Sequence, residues 1–342
     1  MQHSRLHAIE PIQTLRILIV KISSLGDIVH CLPVLDDIAR HLPHAQVDWV
    51  VEEAFAALPL AHPGVSRVLP VAQRRWRKSL LSANVRQERA THRSHLAQET
   101  YDAVIDAQGL LKSAWLARQA MLTPHGQRHG HAHPRERLAM LAYRHRHQVS
   151  WEHHAATRNR LLVAHALGYR LNDSELAAPC YGLPKPAREG SVPSAPYAML
   201  LHGTSLAAKE WPETHWLALA QALTARGLRC VFPAGNVAEE ARAVKLCEQC
   251  PGAIALPRGS VTALLPFLAH AHCAIGVDTG LMHLAAAFDV PTVAIFRASD
   301  PRHNGVFAAR ARNVVSLAPD AAQAVVPVLA ALDALLGAEQ TA

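Results

Sequence analysis

The chain has no apolar run approaching the ~20 residues that a membrane-crossing helix needs. It lacks a GxGxxG fingerprint, which argues against a nicotinamide or flavin enzyme. Aromatic residues make up only 5% of it. No base-stacking platform or nucleic-acid reading module stands out, so nucleic-acid binding is kept only as a distant alternative. The six cysteines are scattered, mostly inside apolar runs, and form no paired metal or disulfide framework. Cys247 and Cys250 have CxxC spacing but no second pair, and are read as incidental. Residues 1–14 are polar without an apolar core, so no signal peptide and a cytoplasmic protein are expected. Acidic residues are outnumbered, 27 against 34 Lys and Arg, for a formal net charge of +7. That excess points to an anionic partner.

What is present is two patterned halves. At 342 residues, half of them hydrophobic, the chain is long enough for two cores. The first half organises around LRILIVKISSLGDIVHCLP, Leu15–Pro33. There a buried β-branched run feeds a small-residue turn, and Asp27 opens one amphipathic helix running through Ile38. Strands follow at Gln46–Val51, Arg67–Val71 and Tyr101–Ala107, with a long charged helix from Lys78 to Thr100 and another at Gly109–Gln119. This alternation predicts a parallel sheet with right-handed crossovers.

The rhythm breaks at Thr123–His154, which is crowded with His and Arg and reads as a mobile cationic surface. His129, His131 and His133 match no structural zinc spacing. Pro184–Pro196 reads as a linker. Beyond it strands return at Tyr197–His202, Leu228–Pro233, Ala253–Leu256, Cys273–Val277 and Pro291–Phe296, with helices between them and an apolar, Ala-rich helix at Asp320–Leu336. The boundaries expected are an extension at 1–14, an α/β domain at 15–183, the linker at 184–196, a second α/β domain at 197–319, and a closing helix and tail at 320–342. Two such domains facing each other put the chemistry in the cleft between them. In open α/β sheets ligands bind at the C-terminal ends of the strands.

Asp27 stands at such an end, although an Asp there can also be a plain helix cap. Val277-Asp278-Thr279-Gly280-Leu281-Met282-His283 is a strand, a Gly-containing turn and a helix N-terminus, a combination suited to a phosphate. Arg74-Arg75-Trp76-Arg77-Lys78 is a dense basic cluster, either an anion-binding face or an ordinary solvated one.

Six separated motifs in one order carry a resemblance: the opening stretch, WVVEEAF at Trp49–Phe55, VAQRRWRKS at Val71–Ser79, YDAVIDAQGLLKSA at Tyr101–Ala114, KEWPETHW at Lys209–Trp216 and VDTGLMHLAAA at Val277–Ala287. Over residues 15–320 the chain resembles the lipopolysaccharide heptosyltransferases, of the heptosyltransferase I type. The resemblance implies a GT-B architecture and transfer of L-glycero-D-manno-heptose from ADP-heptose to the Kdo sugar of Kdo2-lipid A. It implies inversion at the anomeric carbon, no metal and no cofactor, and a peripheral place on the cytoplasmic face of the inner membrane. Heptosyltransferase II or another ADP-sugar transferase remains the alternative within the same fold.

By the same resemblance Asp27 is the general base and Lys209 the phosphate-binding lysine. Thr204, Ser205, Glu239, Asp278, Thr279, Gly280, Leu281 and His283 complete the donor side. Glu239 is matched to the ribose hydroxyls, with a first-turn acid an equal reading, and His283 to the loop or the donor sugar, with a buried core histidine an equal reading. Ser24, Gly26, Arg74, Arg75, Arg77, Lys78, Gln108 and Lys112 are expected on the acceptor side. The chain departs from the family at Phe296-Arg297-Ala298-Ser299-Asp300-Pro301, where relatives have a Gly-Pro pair, and residues 1–14 have no counterpart.

Overall fold

A computed structural model describes residues 14–79 and 81–338. The expected extension, apart from Thr14, lies outside them. The first sheet contains β1 (Arg16–Val20), β2 (Gln46–Glu52), β3 (Arg67–Val71), β4 (Thr100–Asp106), β5 (Met121–His131) and β6 (His145–His147). They lie in the order β3-β2-β1-β4-β5-β6, all neighbours parallel. The second contains β7 (Tyr197–Leu201), β8 (Arg229–Phe232), β9 (Ile254–Ala255), β10 (Cys273–Val277), β11 (Thr292–Phe296) and β12 (Ala311–Val315). Its order, β12-β11-β10-β7-β8-β9, is again parallel throughout and repeats the first sheet's winding. Each sheet therefore reverses direction beside its first strand, between β1 and β4 and between β7 and β10. Those switch points are where an open α/β sheet leaves a crevice.

β1 and β10 show why. Ile17 through Val20 and Cys273 through Ile275 are fully buried, as strands covered by helices on both faces must be. One apolar cluster joins the two halves, running from Ile17, Val29 and Phe55 to Leu264, Phe267 and Met282. From Ala178 to Pro196 the chain has neither helix nor strand. The closing helix spans Ala321–Gly337, its first turn capped by the Asp320 carboxylate accepting from the Gln323 amide at 3.0 Å.

Several expectations change. The single helix through Ile38 is two, Leu25–Val29 and Pro33–His41, because Pro33 has no N–H to continue the first and suits the opening of a second. The long charged helix is shorter, Ala83–Leu96, preceded by a turn of helix at Gln73–Trp76. Thr123–His154 is no interruption. It supplies most of β5, a 3-10 turn at Arg137–Ala142, and β6. Its period of two is carried by histidine rather than by aliphatic residues. His129 stacks on His145 and His147, each with ring centroids 5.3 Å apart.

The helix Ala155–Leu167 and strand β12 were not read from the sequence. That helix has no clean apolar stripe, because it turns Arg158, Asn159 and Arg160 inward. Arg160 and Asp37 are both 1% exposed and meet in a fork, Nε to Oδ2 at 2.7 Å and Nη2 to Oδ1 at 2.8 Å. A third guanidinium bond reaches the Glu175 carbonyl at 2.6 Å. Removing one partner strands the other charge in the interior. Asp37→Ala is therefore expected to cost about 3–5 kcal/mol of unfolding free energy. Urea denaturation checks this; a change under about 1 kcal/mol, the size of an exposed pair, contradicts it.

Candidate active site

The loops after β1, β7, β10 and β11 converge on one cavity of about 370 Å³. Its walls include Ser24, Gly26, Asp27 and His30 from the first half, and Thr204, Ser205, Lys209, Asp278, Thr279, Gly280, His283 and Ser299 from the second. Two helices meet there start to start, Leu25–Val29 and Gly280–Ala287. A Cβ at residue 280 would lie 2.7 Å from Leu25 Cβ and 3.0 Å from the Gly26 amide nitrogen. A Cβ at residue 26 would lie 3.0 Å from the His283 ring. Glycine at both positions is what lets the helices touch.

Asp27 is the third residue of its helix and lines the cavity. Its Oδ2 accepts from the Ser24 amide at 3.0 Å and the Ser24 hydroxyl at 3.1 Å, closing the helix start. Its Oδ1 faces Arg135, 3.5 Å away. Burial alone would raise the carboxyl's pKa. Lys21, Arg135 and the two Ser24 bonds outweigh it, and the net shift is downward. Asp27 is thus a carboxylate throughout the neutral range.

Across the cavity, the helix Gly280–Ala287 has no side chain capping its first turn. Its open N–H groups and positive dipole end face the space. Lys209 Nζ sits 2.6 Å from Asp278 Oδ2, and the Ser299 hydroxyl donates to the same oxygen. The Thr204 hydroxyl donates to the Asp278 carbonyl at 3.2 Å. A second cavity of about 360 Å³ adjoins the first through Leu25, Thr204, Ser205 and Thr279. Glu239 and Leu281 line it together with apolar Leu201, Val261 and Leu264. Glu239 accepts from the Gly235 amide at 2.7 Å and from Asn236 Nδ2 at 2.8 Å.

The remaining candidates are placed differently. Gln108 is buried and holds the loop after β1, its Oε1 accepting from the Ile22 and Ser23 amides at 3.1 and 3.2 Å. Lys112 donates to the Ser23 hydroxyl at 3.2 Å. Burial, with help from Arg77 and Arg74, lowers its pKa. Arg75 is occupied by Glu53 at 3.1 Å and Glu88 at 2.8 Å, and Arg74 lies over the Phe55 ring. Arg77 and Lys78 are exposed. None of these four arginines and lysines lines either cavity. At the departing turn Arg297 donates to the Glu210 carbonyl, while Asp300 caps a short helix, Pro301–Asn304.

Three features escaped the sequence. Arg135, beside Asp27, follows β5 and is distant in the chain. Lys21 is 5% exposed and donates to the Ala107 carbonyl at 2.7 Å. With Asp27, Arg135, Arg158 and His131 it surrounds a narrow side cavity. His30 Nε2 lies 3.0 Å from His283 Nδ1, and the His154 ring packs edge-on against His30. Among the described residues no group of three or more His, Cys, Asp or Glu is placed to hold a metal ion.

Residues 89–327 match the family model of Glycosyltransferase family 9 (heptosyltransferase). Lipopolysaccharide heptosyltransferase 1 of Pseudomonas aeruginosa is 46% identical over 294 residues, 86% of this chain and 81% of that one. The Escherichia coli K12 protein of the same name is 42% identical, covering 84% of this chain and 89% of its own. Among solved structures, E. coli heptosyltransferase WaaC with ADP superposes with a TM-score of 0.84 at 38% identity, covering 93% of this chain and all of that one. E. coli heptosyltransferase II, at 21% identity and a TM-score of 0.71, shares the fold.

The imidazoles set an acid limit. Burial, followed by the neighbouring His283 and His154, pushes His30 well below its usual range. Burial brings His283 to about 4, and His131 to about 3. Below about 6.5 the unfolded chain binds protons that these folded imidazoles refuse. Stability is therefore full above about pH 6.5 and falls as pH drops toward about 4. The thermal midpoint should decline steadily from about pH 6.5 to about pH 4.5. A midpoint flat across that window contradicts the neutral histidine cluster.

Proposed function

The chain belongs to glycosyltransferase family 9, the heptosyltransferases, and on that premise we propose that it transfers L-glycero-D-manno-heptose from ADP-heptose to a Kdo hydroxyl of Kdo2-lipid A. The transfer inverts the anomeric carbon and needs no metal ion. The observation that carries this reading is one cavity with a carboxylate on one wall and an uncapped helix start with a lysine on the other.

In the proposed step the acceptor oxygen attacks C1 of heptose as the C1–O bond to the diphosphate breaks. The acceptor's proton passes to Asp27, and the bonding electrons leave with ADP. Asp27 is a weak base but fully ionised, so no molecules are lost to the wrong protonation state. Charge grows on the diphosphate as the bond breaks. Lys209 and the N–H groups at Gly280 stabilise that developing charge more than the ground state. The second cavity suits the nucleoside: apolar walls for the base, and Glu239 at its rim for the ribose hydroxyls.

Arg135 is the cation against Asp27 and suits an acceptor carboxylate, with Ser24 and Gly26 forming the floor beneath. Lys112, Arg77 and Lys78 extend the positive field outward, and Arg74 and Arg75 add to it behind their own acidic and aromatic partners. The protein's placement on the cytoplasmic face of the inner membrane belongs to the same proposal; no helix among the described residues is long and apolar enough to cross a membrane.

Incubation with ADP-heptose and de-acylated Kdo2-lipid A should give a product heavier by one heptose in the mass spectrum. Persistence of the unmodified acceptor at high enzyme concentration contradicts the acceptor assignment. EDTA should leave the rate unchanged; loss on chelation with recovery on Mg²⁺ or Mn²⁺ contradicts the metal-free step. Lys209→Ala should lower kcat by roughly 10²-fold, the scale of one lost donor to a developing oxyanion, in a steady-state assay. A change confined to KM places Lys209 outside the transition state.

A further inference from the structure

Two neighbouring elements at the rim of the first domain carry large apolar side chains into solvent. On the helix Leu111–Gln119, Leu111 and Trp115 are one turn apart and 48% and 42% exposed. On the 3-10 turn Arg137–Ala142, Leu138 and Leu141 are three residues apart, on one face at that pitch, and 63% and 67% exposed. The elements are bound to each other underneath. Ala114 packs on buried Ala139 and Tyr143, and the Leu111 amide donates to Glu136 at 2.5 Å. The elements that carry the outward leucines and tryptophan therefore pack as one unit. Exposed apolar side chains grouped this way mark an interaction surface.

We propose that Leu111, Trp115, Leu138 and Leu141 form a docking face that seats in the headgroup layer of an anionic phospholipid bilayer. The proposal rests on the reading above that the acceptor is lipid-linked. Charge selects the occupant. Arg89 lies over the Trp115 ring, 5.3 Å from its centroid, and Lys112, Arg118 and Arg137 alternate with the apolar residues. Glu136, the acid among them, is engaged by the Leu111 amide. Aromatic and aliphatic side chains framed by Arg and Lys suit an interface where the rings enter the headgroups and the cations meet phosphate. A second copy of the chain would set the same cations against one another across a two-fold axis, which is unfavourable.

Position agrees with charge. Lys112, next to Leu111, reaches Ser23 in the loop that leads to Asp27, and Arg135, three residues before Leu138, contacts Asp27 itself. A bilayer on this face would deliver a lipid-anchored sugar to the acceptor side of the cavity.

The test is flotation with vesicles of phosphatidylethanolamine and phosphatidylglycerol, and with phosphatidylcholine alone, using the full chain and a Trp115→Ala, Leu138→Ser, Leu141→Ser triple variant. The full chain should float with the anionic vesicles, and the variant should partition roughly tenfold or more weakly at an unchanged thermal midpoint. Equal flotation of the two, or no flotation of the full chain, overturns the proposal. So does self-association of the full chain, by light scattering, that the variant loses while vesicle binding is unaffected. Transfer to de-acylated acceptor separates the two readings: the variant should retain it, and if the full chain lacks it while still floating, the docking face stands and the acceptor assignment falls.

Discussion

The contact between Gly26 and Gly280 is the constraint on which the rest depends. Two parallel sheets wound in the same order each leave a crevice beside their first strand. The first contributes Asp27, and the second contributes Lys209 and the open helix start at Gly280. Bringing the start of Leu25–Val29 against the start of Gly280–Ala287 merges them, and that approach leaves no room for a Cβ at residue 280. The apolar cluster linking Val29 and Phe55 to Leu264 and Met282 supports the arrangement from below. Burial provides the affinity of the halves, and the glycines provide the fit.

The electrostatics of the merged crevice are divided rather than uniform. On the first-domain side Lys21 and Arg135 keep Asp27 ionised. On the other, Lys209 is held by Asp278 at the open helix end. Between them sit His30 and His283, kept neutral by burial. A neutral pair here avoids adding further positive charge near the Asp27 carboxylate. It also makes the junction vulnerable to acid, since protonating either imidazole would place an unpaired cation in a buried seam.

Much of this was legible in the sequence, and the reasons are local. The stretches around Asp27 and Asp278 each write a buried strand, a turn of small residues and a helix start within about a dozen positions, so pattern alone places them at sheet ends. The parallel α/β class followed from the alternation. What was not legible depends on long-range burial. The helix Ala155–Leu167 hides Arg160 against Asp37 and turns Asn159 to the His30 carbonyl at 3.0 Å, so its buried face reads as polar. Strand β5 was obscured because its buried positions are glycines and histidines, His129 stacking on His145 and His147 of β6. Arg135 and Lys21 gain meaning only when separate loops close around Asp27. The basic cluster shows the same limit: Arg74 to Lys78 reads as a cationic string, and only the fold shows that Trp76 within it is buried and that Glu53 and Glu88 occupy Arg75.

The central claim is that Asp27, already satisfied as a helix cap, is also the group that takes the acceptor's proton. Turnover and ADP affinity of Asp27→Asn, measured side by side by a coupled assay and by calorimetry, test it most directly. Asparagine keeps an oxygen for the Ser24 bonds, so the helix start should survive. The account predicts turnover reduced by roughly 10²–10⁴ with ADP affinity unchanged. Wild-type turnover, or a loss matched by an equal loss of ADP affinity, would contradict it.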